Sequence, residues 1–394
     1  MSSVSDEHFF LFGFYGQSNL GDDLLLRATV EGIRRIRPRA TFIIRNEGPV
    51  GGLDDFGEAV ELTGIDRLLA DQSKSKARRL VETLLAYRQY FSRCHWFVFG
   101  GGTVFHERSS AAPLLLILMI CTLARVMGLR IAALGVGISE LKSAPARIAL
   151  RLIISMSALF AVRDKAAFTE CAKAGASKRV KLTSDLAFTF APALAESGGK
   201  AESRTGPHIG FSVYPPALVS GAAAPSSMLA VRDALSALLD RGWTVSLLAF
   251  HDDPEKANGC QDKDVLTRLM ESFSPEQKLL VSQRVLRADS GEIRRLFSEI
   301  NVHCGMRFHG HVLAAMFSVP FVGISTDNKT ASICRLFGMP VVSADHLVAR
   351  DLLEAIEQAD SMKVDVSLRE ACIAGAEQNF FEFARLLSSN PANA

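Results

Sequence analysis

Several common signatures are missing from this chain, and each gap narrows what it can be. The seven cysteines (Cys94, Cys121, Cys171, Cys260, Cys304, Cys334, Cys372) are scattered and odd in number, with no close pair of metal-ligand spacing. That distribution fits free thiols in a reducing compartment, and no metal site is expected. A formal net charge of +2 lacks the basic excess of a dedicated nucleic-acid binder. The longest apolar runs, 113–124 and 131–138, fall short of the ~20 residues a membrane span requires. No basic stretch precedes the first apolar run, which reads as a strand rather than a signal peptide, so a cytoplasmic location is expected. The dinucleotide fingerprint G-x-G-x-x-G is absent as well; the first glycine cluster is spaced G-x-x-G-x-x-x-x-G.

What is present is a long, evenly mixed chain. With 394 residues, 48% apolar and 22% charged, it is globular in composition, and at ~150 residues per domain two domains are expected. Short β-branched or aromatic runs alternate with helical periodicity from end to end, the signature of parallel α/β layers. Strands are predicted over 9–12, 41–45, 96–99, 130–134, 159–162 and 179–182. After a polar Gly/Ser-rich segment at 195–207, read as a linker, they resume over 208–213, 244–250, 278–281, 300–304 and 321–324. The first helix places Leu26, Val30, Ile33 and Ile36 on one face, a stripe suited to packing on a sheet. The expected fold is two Rossmann-like, doubly wound α/β domains facing a cleft. They cover 1–194 and 208–366, and a final helical segment, 367–394, packs back on the first.

Chemistry-bearing residues concentrate at the ends of predicted strands, where parallel sheets build ligand crevices. Gly13, Gly16, Asn19, Gly21 and Asp22 follow the first strand and open the first helix; Asn19 and Asp22 suit either helix capping or a hydroxyl-bearing ligand. Gly100, Gly101, Gly102 and Thr103 follow the third, with His106 and Glu107 beyond, and Gly135-Val-Gly137-Ile-Ser139 ends the fourth. Arg163-Asp164 ends the fifth and reads as an anion clamp beside a helix cap. His251-Asp252-Asp253 is disfavoured as a metal pair, because neighbours on an extended chain point to opposite faces.

The most informative stretch is 305–325, where Arg307 and His309 stand at the mouth of an apolar helix. A guanidinium beside the open N–H groups of a helix start suits a carboxylate or phosphate, and an imidazole can donate a proton and recover it. Against this stands a plainer reading, with Arg307 capping a helix and the histidines His309 and His311 walling the core. Lys329, next to Asp327, is either a further cation or an ordinary loop lysine. Residues 74–93 carry six basic groups against one acid, with Leu80, Leu84, Tyr87 and Phe91 at helical spacing. That pattern suits a helix on an anionic membrane surface, and equally a domain helix with a solvated basic face.

Taken together these motifs resemble the polysaccharide pyruvyl transferase family. The resemblance rests on 13–22, the glycine triplet 100–102, 135–138, Arg163-Asp164, Ser184-Asp185-Leu-Ala-Phe188, Arg307-Phe-His309-Gly and Asp327-Asn-Lys329. The chain differs from the usual pattern at Asp23, Ser139 and Ala167, which bears on acceptor choice more than on chemistry. The family implies a GT-B-like architecture and transfer of pyruvate from phosphoenolpyruvate, as co-substrate and with no cofactor, to a sugar, commonly as a ketal. By position it implies phosphoenolpyruvate contacts at Arg307, His309 and Arg163; a substrate with both carboxylate and phosphate calls for several cations, to which Lys329 can add, and His309 is the candidate general acid. Asn19, Gly21, Asp22, Gly101, Gly102 and Thr103 fall to the acceptor side or the cleft. The implied partner is a glycan or lipid-linked saccharide; peripheral contact with the inner membrane surface is expected only from the 74–93 pattern, and no nucleic-acid partner is expected from the charge. Two alternatives stay open: a GT-B glycosyltransferase using a nucleotide-sugar, and a non-catalytic glycan-binding protein.

Overall fold

The inner strands Trp96–Gly100 and Leu159–Val162 are apolar at every position, because the sheet is covered on both faces and leaves them no solvent side to receive polar residues. In the computed structural model, residues 7–46, 48, 50, 53–107, 110–190, 206–215, 224–252, 261–326 and 328–388 are described. Most of the expected linker, 195–205, lies outside them, as do Asp253, Cys260 and Asp327. The chain forms two compact units, one of Met1–Ser18, Asp22–Thr189 and Cys372–Ala394, the other of Asn19–Gly21 and Phe190–Ala371.

The first unit holds a seven-stranded parallel sheet: β1 (His8–Tyr15), β2 (Thr41–Asn46), β3 (Val60–Leu62), β4 (Trp96–Gly100), β5 (Arg130–Val136), β6 (Leu159–Val162) and β7 (Lys181–Leu182). Its order is β3-β2-β1-β4-β5-β6-β7, which reverses direction between β1 and β4. On one face Phe10, Phe12, Phe97 and Phe99 pack with Tyr87 and Phe91 of the helix Lys76–Phe91. On the other, Phe9 and Trp96 meet Phe383 of the helix Val366–Ser388. From Cys372 onward that last helix belongs to the first unit, tied by the Arg35–Glu377 ion pair at 2.9 Å.

The second unit holds six parallel strands: β8 (His208–Ser212), β9 (Thr244–Ala249), β10 (Val281–Val285), β11 (Val302–Gly305), β12 (Phe321–Ser325) and β13 (Val341–Ser343). Their order, β10-β9-β8-β11-β12-β13, repeats the reversal, here between β8 and β11. Ile209, Phe211, Val245, Leu247, Val302 and Ile324 build its core with the flanking helices. Two strands, β3 and β13, were not expected from sequence, and β10 falls three residues later than expected. All three are outer strands with exposed or half-buried positions, where burial imposes no apolar run.

Candidate functional site

In a parallel sheet, the point where strand order reverses opens a crevice past the strand ends. In the second unit this places Val213 and Tyr214, after β8, beside Met306 and Arg307, after β11; the Met306 N–H donates to Ser212 O at 3.0 Å. Arg307 is the N-cap of the helix Phe308–Met316, so its side chain projects where that helix opens. The guanidinium lies over the Tyr214 ring, 5.1 Å from its centroid, and Nε donates to Val213 O at 3.0 Å.

Its main partner is Asp262, first residue of the helix Asp262–Glu271, which no sequence signal singled out. Nε donates to Asp262 Oδ2 at 3.0 Å and Nη2 to Oδ1, a two-point grip that fixes the plane of the fork. Asp262 has no solvent exposure, and its Oδ2 also accepts from the Phe250 and His251 N–H groups. Burial, the largest influence, pushes this carboxyl above its ordinary value against the pull of Arg307 and the Phe250 N–H. The Arg307 side chain keeps 18% exposure, and its hydrogen bonds to described residues run from Nε and Nη2 and not from Nη1. One edge of the fork is thus held and the other is open.

Residues 19–21 group with this second unit rather than with the first, where the sequence reading put them. The reason is backbone pairing: Leu20 N–H donates to Phe250 O at 2.9 Å, and Asn19 forms an antiparallel bridge with His251. Asn19 Oδ1 accepts from the Gly21 N–H at 3.3 Å. His309, half-buried in the first turn of its helix, lies against Gly21 so closely that a Cβ there would sit 2.0 Å from Nδ1. Only glycine admits the ring in that position. Asn19, Gly21 and His309 therefore share one unit with Arg307. His311 does not join them: it is fully buried, stacked on Phe321, with Nε2 on Gly305 O at 3.1 Å, and is a core residue. Lys329 is half-buried in the first turn of the helix Asn328–Phe337, after β12, the strand next to β11.

In the first unit the residues at the strand ends bond mainly to one another. Tyr15 OH donates to Gly100 O at 2.8 Å, and burial, then the charge of Asp22, pushes this phenol upward. Gly101 and Gly102 take φ of 73° and 72°, a left-handed pair that other residues adopt at a cost. Asp22 borders this turn, 3.8 Å from where a Gly102 Cβ would stand. Arg163 donates from Nη2 to Thr103 Oγ1 at 3.1 Å, from Nη1 to Asp185 at 2.9 Å and from Nε to Asp164 at 3.3 Å. Its side chain is 4% exposed. Burial alone would push Arg163 down, yet Asp185 and Asp164 outweigh it and leave it raised. These contacts correct the anion-clamp expectation: the charge and all three nitrogens are met by two carboxylates and a hydroxyl inside the fold. Arg163 instead braces Thr103 and the glycine turn. Glu107 serves a similar local end, accepting from the Lys142 and Ser143 N–H groups at 2.7 and 3.0 Å.

Two Rossmann-type sheets in one chain define an α/β protein of the GT-B type. The chain is similar over 98% of its length to the whole of the UDP-GlcNAc 2-epimerase from Methanocaldococcus jannaschii (TM-score 0.61, 9% identity). Coverage is the same for the Neisseria meningitidis enzyme bound to UDP-GlcNAc, again with TM-score 0.61 and 9% identity. The calicheamicin glycosyltransferase CalG4 matches with TM-score 0.51 and 14% identity, covering 98% of each chain. At such identities the likeness concerns the fold. No curated protein matches the chain. The model of the polysaccharide pyruvyl transferase family matches residues 19–328, and the chain belongs to that family. Its function is accordingly that of a transferase acting on polysaccharide. No helix among the described residues is long and apolar enough to cross a membrane.

Proposed function

We propose that the protein transfers a pyruvyl group from phosphoenolpyruvate to hydroxyls of a sugar in a polysaccharide or lipid-linked precursor, forming a pyruvate ketal and releasing phosphate. The observation that carries this reading is the half-held guanidinium of Arg307. Asp262 locks the Nε–Nη2 edge at the strand-order reversal, leaving Nη1 for an anion. Lys329, past the adjacent strand, adds a second cation for a substrate bearing both carboxylate and phosphate.

His309 acts as the general acid. It protonates the terminal methylene carbon, leaving cationic character on the carbon that bears phosphate. A sugar hydroxyl adds there and returns its proton to the imidazole. A second hydroxyl displaces phosphate, which departs with that hydroxyl's proton, and the ketal closes. Such proton transfer contributes roughly 10²- to 10⁴-fold in rate. Asn19 orients acceptor hydroxyls from the same unit, and Arg163 acts only through the first-unit loop it braces.

Phosphate release from phosphoenolpyruvate in the presence of candidate glycans tests the reading. His309→Ala, folded as judged by circular dichroism, is expected to lose release by at least about 100-fold; full activity would remove His309 from the mechanism. Thermal-shift titration separates donors, since a ligand stabilises the state it binds. Stabilisation by phosphoenolpyruvate is expected, whereas a response to a nucleoside diphosphate alone would favour a nucleotide-sugar glycosyltransferase.

A further inference from the structure

Three neighbouring helices of the first unit, Lys76–Phe91, Ala112–Val126 and Ala144–Met156, cover one face of its sheet and share a single core. Their inward stripes account for Tyr87, Phe91, Ile117, Ala149 and Ile153. Their outward stripes are unusual. Val81, Leu85, Leu115, Met119, Ile148 and Leu152 are each between 41% and 58% exposed. Isolated exposed aliphatics are ordinary, but two or more per helix on three adjacent helices form a patch, and patches mark interaction surfaces.

Charge identifies the occupant. The three helices carry Lys76, Arg78, Arg79, Arg88, Arg125, Arg147 and Arg151 against one acid, Glu82, in a chain whose net charge is only +2. Glu82 is already paired with Lys74 and Arg78. Arg88 and Arg151 are exposed among the aliphatic residues. An apolar patch studded with cations and nearly free of carboxylates complements an anionic lipid surface, whose acyl boundary takes the aliphatic side chains while its headgroups take the guanidinium groups. We infer that this three-helix face docks the protein on an anionic bilayer. Of the two readings of 74–93 the structure shows the domain helix, with Tyr87 and Phe91 in the core, and it leaves a basic, aliphatic side outside on which the inference rests. The inference is independent of the donor chemistry proposed above.

The test is co-sedimentation of the full chain with vesicles of phosphatidylglycerol and phosphatidylcholine, against phosphatidylcholine alone. Binding is expected on the anionic vesicles, weakening as salt rises. At about fivefold per surface cation removed, Arg88→Glu with Arg151→Glu is expected to weaken partitioning roughly 25-fold or more, and Leu85→Ser with Ile148→Ser to weaken it independently of salt. Arg88→Lys with Arg151→Lys is expected to retain binding, which separates charge from misfolding. Absence of wild-type binding, equal binding to both vesicle types, or undiminished binding by the Glu variants would each overturn the inference. So would a dimer in sedimentation velocity that Ile148→Glu dissolves, since a second copy would then cover the face.

Discussion

Arg163 and Arg307 look alike in sequence and differ in kind in the structure. Each follows the C-terminal end of a parallel strand, and each grips a buried carboxylate. Arg163 spends Nε, Nη1 and Nη2 on Asp164, Asp185 and Thr103 and is 4% exposed. Arg307 spends Nε and Nη2 on Val213 and Asp262, keeps Nη1 open and is 18% exposed. An arginine with every nitrogen engaged inside the fold is architecture; one gripped along a single edge is aimed outward with its geometry set in advance.

The sharpest way to break this contrast is to remove each cation and read stability and activity separately. Arg163→Met leaves Asp185, itself 4% exposed, without its partner, and losing one member of a buried pair costs roughly 3–5 kcal/mol. Trp96, in β4, reports on the first unit in a Trp243→Phe background, because the chain has two tryptophans. Urea unfolding followed by Trp96 fluorescence should show that loss. A loss below about 1 kcal/mol would mean that Arg163 does not hold the strand ends together. Arg307→Lys keeps the charge and gives up the two-point fork. It is expected to lower kcat/KM for phosphoenolpyruvate roughly 10- to 150-fold, the equivalent of about 1.5–3 kcal/mol for a charged hydrogen bond. Unchanged kinetics would place the anion elsewhere.

Why sequence could not tell the two arginines apart is a matter of range. Alternation of apolar runs and helical periods is local, so strands such as Trp96–Gly100 and Phe321–Ser325 were legible, and the doubly wound order followed. Glycines at strand ends were legible for the same reason. The partners were not. Asp262 lies 45 positions from Arg307, and it reads in sequence as an ordinary acid at a helix start. Asp185 lies 22 positions from Arg163, so its motif was visible but not its use. Burial of a charge is decided by what folds over it, and that is long-range information.

A smaller effect tests how finely the second-unit site is packed. Gly21→Ala is expected to favour the helix by up to about 1 kcal/mol. The same methyl collides with Nδ1 of His309, 2.0 Å from the added carbon. Stability should therefore change little while phosphate release falls by about tenfold. That is less than the ~100-fold of an ångström-scale misplacement, because the half-buried ring can pivot. Loss of both together would make Gly21 a folding residue rather than a spacer for the acid.

The smallest effect concerns the sign of the force on Asp262. Burial raises its carboxyl above the ordinary 3.8, outweighing Arg307. The folded state then binds a proton more readily than the unfolded one. The stability contributed is present below the unfolded value and is lost as pH climbs through the raised one. Measured by urea unfolding, the stability of wild type minus that of Asp262→Asn should therefore fall as pH rises from just below 3.8 into the raised range. Other carboxylates cancel in the difference. A gap that grows with pH would mean that Arg307 is held by a charge it nearly neutralises, which would bring it closer to Arg163. A falling gap means that Asp262 fixes the fork at a cost in stability. A carboxylate retained at such a cost, beside a guanidinium open on its far edge, belongs to a site organised for binding more than for folding.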